Sequence, residues 1–194
     1  TLDEAIRIAV VQDVAEAIKA AHAVGVAHRR LDPSAVFVER GDGVPTGVVA
    51  RVGAWDRAQA EDGKAGSLHL SANLGDDIFV APEIVAGEVE SWPAVDLWSL
   101  GRLIEWLWQE LCPIGGTEPM PESLVRLVEV LTDLEFDERE NATAFEVAEA
   151  AATLLAPAIG VDVEPVAESL TIDDLVPGAR VGDRYWVNEV LGRG

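Results

Sequence analysis

The densest group of chemically capable side chains lies at His28-Arg29-Arg30-Leu31-Asp32-Pro33, a run too turn-like to continue a helix. A guanidinium is always protonated and accepts no hydrogen bond, so Arg30 can neither take up a proton nor hold a hydroxyl group as an acceptor. Asp32 has the opposite sign and can offset Arg30. The three histidines, His22, His28 and His69, have no metal-ligand spacing with Cys112, so no metal centre is expected. Cys112 sits between Leu111 and Pro113, the setting of a packed thiol. A single cysteine excludes an internal disulfide framework and suits a reducing cytoplasm.

The elements that must position these residues are mostly helical. Thr1-Leu2-Asp3-Glu4 has the form of a capping box, with a hydroxyl at the cap and a carboxylate three residues on. Behind it Ile6, Val10, Val14, Ala17, Ile18 and Ala21 recur at helical spacing, and Gly25 can close the helix in a left-handed conformation. Val36-Phe37-Val38 and Val48-Val49-Ala50-Arg51-Val52 read as two short strands, with Gly41-Asp42-Gly43 and Pro45 between them. Residues 56–78 are polar and aperiodic, a long loop. From Pro93 to Leu111 the pattern is helical and apolar nearly all round, including Leu97, Trp98, Leu100, Trp106 and Trp108, as expected at the centre of a core. Trp92, Trp106 and Trp108 fit core packing; any of them left exposed would mark a partner surface. Leu124, Leu127, Val128 and Leu131 mark another helix, and Ala144 to Leu155 a last one, stopped before Pro157.

This order, with three motifs in it, resembles the C-lobe of bacterial, eukaryotic-like serine/threonine protein kinases. Ala21-His22-Ala23-Val24-Gly25-Val26-Ala27-His28-Arg29-Arg30-Leu31-Asp32-Pro33 looks like the run that opens the catalytic loop. Phe79-Val80-Ala81-Pro82-Glu83 is similar to the close of the activation segment, and Asp96-Leu97-Trp98-Ser99-Leu100-Gly101 to the central helix. The fold class implied is mainly α: a kinase-like C-lobe over residues 1–157, with one or two short β-hairpins and no N-lobe.

The resemblance also implies that the phosphotransfer site is degraded. The family's proton-accepting Asp falls at Arg30. The Lys that steadies the transferred phosphate falls at Asp32, which would repel it. The Mg²⁺-binding Asn and Asp fall at Ala35 and Ala54, and a methyl group offers the ion no oxygen. Asp56 is the alternative ligand in a shifted register, but Ala50-Arg51-Val52-Gly53 and Ala58 fit the unshifted one. The retained positions are architectural: His28 beneath the loop, Asp96 bonding its backbone, and Pro82, Glu83, Trp98 and Gly101 in the other two motifs. Arg29, which in the family grips a phosphorylated activation segment, is expected to be a local donor here; Ser67 and Ser71 are the acceptors such regulation would need. The family's partner for Glu83, a buried Arg, falls at Asn141, with Arg139 the nearest substitute. The stretch from Leu111 to Pro121 leaves little room for the helix that docks protein substrates.

Residues 158–178 read as an acidic linker, and 179–194 resemble the first strand and Gly-rich loop of a following kinase domain, through Asp183-Arg184-Tyr185 and Leu191-Gly192-Arg193-Gly194. The chain begins at Thr1, has Met120 as its one Met, and reads as a piece of a longer multidomain kinase. Its 35 Asp and Glu against 14 Lys and Arg, a net charge of -21, argue against nucleic acid and anionic membranes as partners. Partners are expected to be protein: the missing N-lobe, the neighbouring kinase domain, or another protein. The reading is a cytoplasmic, inactive pseudokinase lobe with a scaffold or regulatory role and no cofactor. The alternatives are a divergent active kinase with relocated catalytic residues and a helical interaction domain on a kinase frame.

Overall fold

The computed structural model of the chain describes residues 3–60, 77–87, 92–110, 119–134, 139, 142–159, 180–181 and 185–186. Asp3 opens the first helix, α1 (Glu4–Ala23), its Oδ1 accepting from the Ala5 N–H at 2.9 Å. The carboxylate thus holds the cap position that the sequence suggested for the Thr1 hydroxyl, and Thr1 itself lies outside the described residues. α1 ends where Gly25 takes a φ of 69°, its N–H donating to the His22 carbonyl at 2.9 Å.

The buried face of α1 is wider than the expected stripe. Ile8, Val11 and Ala15 are buried along with Val10, Val14 and Ile18, whereas Ile6, Ala17 and Ala21 are only half-buried. The cause is that α1 is covered from several sides, by α3 (Trp92–Gln109), by a β-hairpin and by α5 (Ala144–Ala158). Even Arg7 is fully buried, with Cζ 4.9 Å from the centroid of the Trp108 ring.

The hairpin pairs β2 (Val36–Arg40) with β3 (Val48–Val52) antiparallel, in a register running from Val36 opposite Val52 to Arg40 opposite Val48. Asp13 in α1 ties it to the helix by accepting from the Ala50 N–H at 2.8 Å. A second, two-residue ladder joins β1 (Val26–Ala27) to β4 (Gln59–Ala60). Residues 56–60 are therefore a 3₁₀ turn and a strand where a loop was expected; 61–76 lie outside the described residues.

α2 (Pro82–Ala86) is a single short turn of helix with Pro82 at its start, where a missing N–H costs nothing. α3 is buried nearly all round, as its composition implies. Trp98 and Trp108 are in the core, Trp92 and Trp106 are half-buried, and no described Trp side chain is exposed. α4 (Glu122–Leu131) turns Leu124, Val128 and Leu131 inward. α5 begins with a capping box between Thr143 and Glu146 and runs through Pro157, past the expected stop. So close to the helix end, proline removes only one donor, and the Ile159 N–H still reaches the Leu155 carbonyl at 3.1 Å. The chain divides into two compact units, residues 1–161 and 162–194; in the second, β5 (Arg180–Val181) pairs antiparallel with β6 (Tyr185–Trp186). No helix among the described residues is long and apolar enough to cross a membrane.

Gly101 sets how closely α3 and α4 approach. A Cβ there would lie 2.7 Å from Thr132 Cγ2 and 2.9 Å from Leu131 Cβ. Alanine adds about 1 kcal/mol of helix propensity over glycine, but forcing a methyl into a closed contact costs ~1–3 kcal/mol. Because Leu131 Cβ is fixed by its own backbone, Gly101→Ala is expected to be a net loss of up to about 2 kcal/mol, read as a lower urea midpoint with unchanged slope.

Candidate functional site

The site is organised by Asp96, fully buried in the second turn of α3. Its Oδ2 accepts from the His28 backbone N–H at 2.7 Å and from His22 Nε2 at 2.9 Å, and its Oδ1 from the Arg29 N–H at 2.7 Å. Charge-assisted bonds to backbone are strong inside a protein, so this carboxylate fixes the path of the loop that follows β1. The loop takes a tight course: Arg29 has a φ of 70°, a left-handed conformation that costs a residue with a Cβ on the order of 1 kcal/mol. The Arg29 guanidinium lies over Trp92, its Cζ 3.9 Å from the ring centroid. Burial pulls its pKa below the ordinary arginine value, with the Asp96 charge opposing.

His28 joins the loop to the end of β3. Its Nε2 donates to the Gly53 carbonyl at 2.8 Å, and its Nδ1 accepts from the Arg30 N–H at 3.3 Å. Its ring meets Trp55 edge-on, centroids 4.6 Å apart and planes at 72°; the Trp55 indole N–H is anchored on the Val52 carbonyl at 2.8 Å. The Gly53 N–H in turn donates to the Ala35 carbonyl at 2.8 Å. A Cβ on Gly53 would lie 2.6 Å from Phe37 Cε2, so a larger residue there would displace the exposed Phe37 ring.

Arg30, Ala35 and Ala54, the three positions that the resemblance aligns with phosphotransfer residues, therefore border one point. Arg30 is attached through His28, Ala35 through its own carbonyl, and Ala54 as the residue after Gly53. Arg30 is half exposed, and its Nε lies 3.5 Å from Asp32 Oδ2. Asp32 Oδ1 accepts from the Ser34 N–H at 2.7 Å and the Ser34 hydroxyl at 2.5 Å, capping the 3₁₀ turn Pro33–Ala35. Ala35 is buried, and its methyl is a packing group. Ala54 is exposed, with φ 56° and ψ 40°, a second strained non-glycine residue. Asp56 is exposed in the turn Trp55–Arg57. Among the described residues, no group of three or more His, Cys, Asp or Glu side chains is placed to share a metal ion.

The second cluster holds the segment leading into α2. The Trp98 indole N–H donates to the Ile78 carbonyl at 3.1 Å, and the Ser99 hydroxyl to the Phe79 carbonyl at 2.8 Å. Glu83 forms an ion pair with Arg139, its Oε2 lying 2.7 Å from Nη2; the Arg139 side chain is fully buried. Arg139 Nη1 also donates to the Asp133 carbonyl at 2.5 Å, and its Cζ sits 5.2 Å from the Trp98 ring centroid, with Arg102 at 4.6 Å. Arg139 is thus the partner of Glu83. Asn141, Ser67, Ser71, His69 and Cys112 lie outside the described residues.

Sequence reasoning missed His22 as a ligand of Asp96 and Asp13 as the tie to the hairpin. His22 carried a signal, being an imidazole in the last turn of α1 just before the loop. Asp13 carried none beyond being an acidic residue within an otherwise buried helix.

No protein-family model matches the chain. It is 30% identical over 118 residues to the serine/threonine-protein kinase PkaB of Streptomyces coelicolor, a match covering 58% of this chain and 27% of PkaB. Among solved structures, the Rad53 kinase domain and SCD2 in complex with AMPPNP superimposes with a TM-score of 0.54 at 20% identity, over 77% of this chain and 59% of that one. The Rad53 kinase domain and SCD2 gives 0.55 at 21% identity, over 76% and 56%. The chain spans about a quarter of PkaB and under three fifths of the Rad53 chains. With its fold and its motif geometry, this makes the chain a protein-kinase-like domain related to serine/threonine protein kinases.

Proposed function

We propose that the chain is the C-lobe of a pseudokinase module in a larger cytoplasmic, multidomain serine/threonine protein kinase, where it acts as a scaffold or regulator and transfers no phosphate. The carrying observation is the content of the degraded site. The position of the proton acceptor is a guanidinium, Arg30, offset by Asp32 at 3.5 Å, and the two metal-ligand positions are the methyl groups of Ala35 and Ala54. Phosphoryl transfer depends on positioning and on charge neutralisation by Mg²⁺. Loss of a general base alone costs ~10²–10⁴ in rate, and loss of both metal ligands removes the neutralising charge as well. Asp32 is occupied as a turn cap, which gives it a structural duty in place of a catalytic one. The partners that suit such a module are its own N-lobe and the neighbouring kinase domain.

The test is nucleotide affinity, measured by calorimetry with and without Mg²⁺ on the parent polypeptide in which the nucleotide site of any neighbouring kinase domain has been blocked by substitution. Equal affinity in the two conditions is expected. A tightening of about tenfold or more, lost in Asp56→Ala, would sink the proposal and establish the shifted register.

A further inference from the structure

A cleft of about 280 Å³ opens where α1, α3 and α5 converge, away from the phosphotransfer positions. Lys19 and His22 line it from α1, Ala94 and Leu97 from α3, Ala142 from just before α5, and Phe145 from its first turn. Its walls are apolar, and its polar groups are few and already assigned, with one exception. The Thr143 hydroxyl serves the capping box of α5, which also satisfies the first turn of that helix. His22 Nε2 donates to Asp96. Lys19 is different. Its ammonium touches Glu16 Oε2 at 2.5 Å and lies 5.4 Å from the Phe145 ring centroid. An ammonium carries three donors, and one partially exposed carboxylate in an i,i+3 pair holds it weakly.

We infer that this cleft binds a small planar apolar molecule bearing one carboxylate: the ring between Leu97 and Phe145, the anion on Lys19. Three wall positions, Ala94, Ala142 and Ala144, are alanines where larger apolar residues would close the space. The volume falls just below the roughly 300–1,000 Å³ of drug-sized pockets, which limits the ligand to a single ring system. His22 gives the cleft a route to the rest of the molecule. It lines the cavity and bonds the same carboxylate that holds the His28 and Arg29 amides. The inference is independent of whether the kinase-like site is active.

The experiment titrates the full chain with 4-fluorophenylacetate and, separately, with 2-(4-fluorophenyl)ethanol, which has the same ring and no charge, following ¹⁹F line width and the amide resonances of His28 and Arg29. The acid is expected to saturate with at least ~5-fold higher affinity than the alcohol, and to shift both amides. Lys19→Met removes the preference and leaves alcohol binding unchanged. Ala142→Leu, at a half-buried position, weakens both probes by ~10-fold. The wild-type titration decides the matter even if a variant fails to fold. Absence of saturation by about 10 mM acid, or equal affinity for acid and alcohol, overturns the inference; so does an unaltered preference in folded Lys19→Met.

Discussion

Asp96→Ala is expected to cost about 3–5 kcal/mol of stability, much of the ~5–15 kcal/mol a domain of this kind possesses. The carboxylate is fully buried and accepts three hydrogen bonds, two of them from backbone N–H groups of consecutive residues. Alanine leaves the His28 and Arg29 amides without their acceptor in a dry interior, and each orphaned buried group costs on the order of 1–3 kcal/mol. It also releases Arg29 from the bond that holds its left-handed conformation. Asp96→Asn keeps one acceptor oxygen and shape, so about half the loss is expected. Urea unfolding followed by tryptophan fluorescence measures both. If Asp96→Ala unfolds within about 1 kcal/mol of wild type, the carboxylate does not organise the loop.

Arg139→Ala is expected to be nearly as damaging. It strands Glu83, whose side chain is only 10% exposed, and removes the donor to the Asp133 carbonyl and one of the two cations beside the Trp98 ring. Breaking a buried ion pair from one side costs ~3–5 kcal/mol, whereas removing both charges costs much less because no lone charge remains. The double variant Glu83→Gln, Arg139→Met should therefore be more stable than Arg139→Ala by about 1–3 kcal/mol. A double variant no more stable than Arg139→Ala would mean that the guanidinium acts through packing alone.

The parts of the fold that were legible in the chain are those where a long pattern repeats. α3 is apolar nearly all round because it is surrounded, and the pattern from Pro93 to Leu111 reports it. The β2–β3 hairpin is written as two Val-rich runs around Gly41-Asp42-Gly43 and Pro45, and Gly43 takes a positive φ. The illegible parts are short, or set by tertiary context. The β1–β4 ladder involves two residues a side, too few to show alternation. Pro157 looks like a stop, yet a helix within two residues of its end has little to lose from it. Ile6, expected on the buried stripe, is only half-buried, and the fully buried residue beside it is Arg7, its Cζ 4.9 Å from the Trp108 ring centroid. At the candidate site, the reading of Arg30, Ala35 and Ala54 rests on residue type alone: a guanidinium accepts no hydrogen bond and a methyl group offers a metal no oxygen. Their convergence on Gly53 could not be read that way, since it depends on the Gly53 N–H donating to the Ala35 carbonyl and on the His28 ring donating to the Gly53 carbonyl. The ion-pair partner of Glu83 was narrowed to one substitute, Arg139, but its reach to Glu83 depends on the path of residues far apart in sequence.

Phosphate transfer is the measurement that bears most directly on the inactive reading. The parent polypeptide would be incubated with radiolabelled ATP, Mg²⁺ or Mn²⁺ and a general acceptor protein, beside a variant with any neighbouring kinase domain inactivated. With that neighbour silenced, the expected result is no incorporation above background, and none gained or lost in Arg30→Ala. Incorporation that survives silencing of the neighbour and disappears in Asp56→Ala or Asp32→Ala would contradict it, and would show a working kinase site assembled from displaced carboxylates.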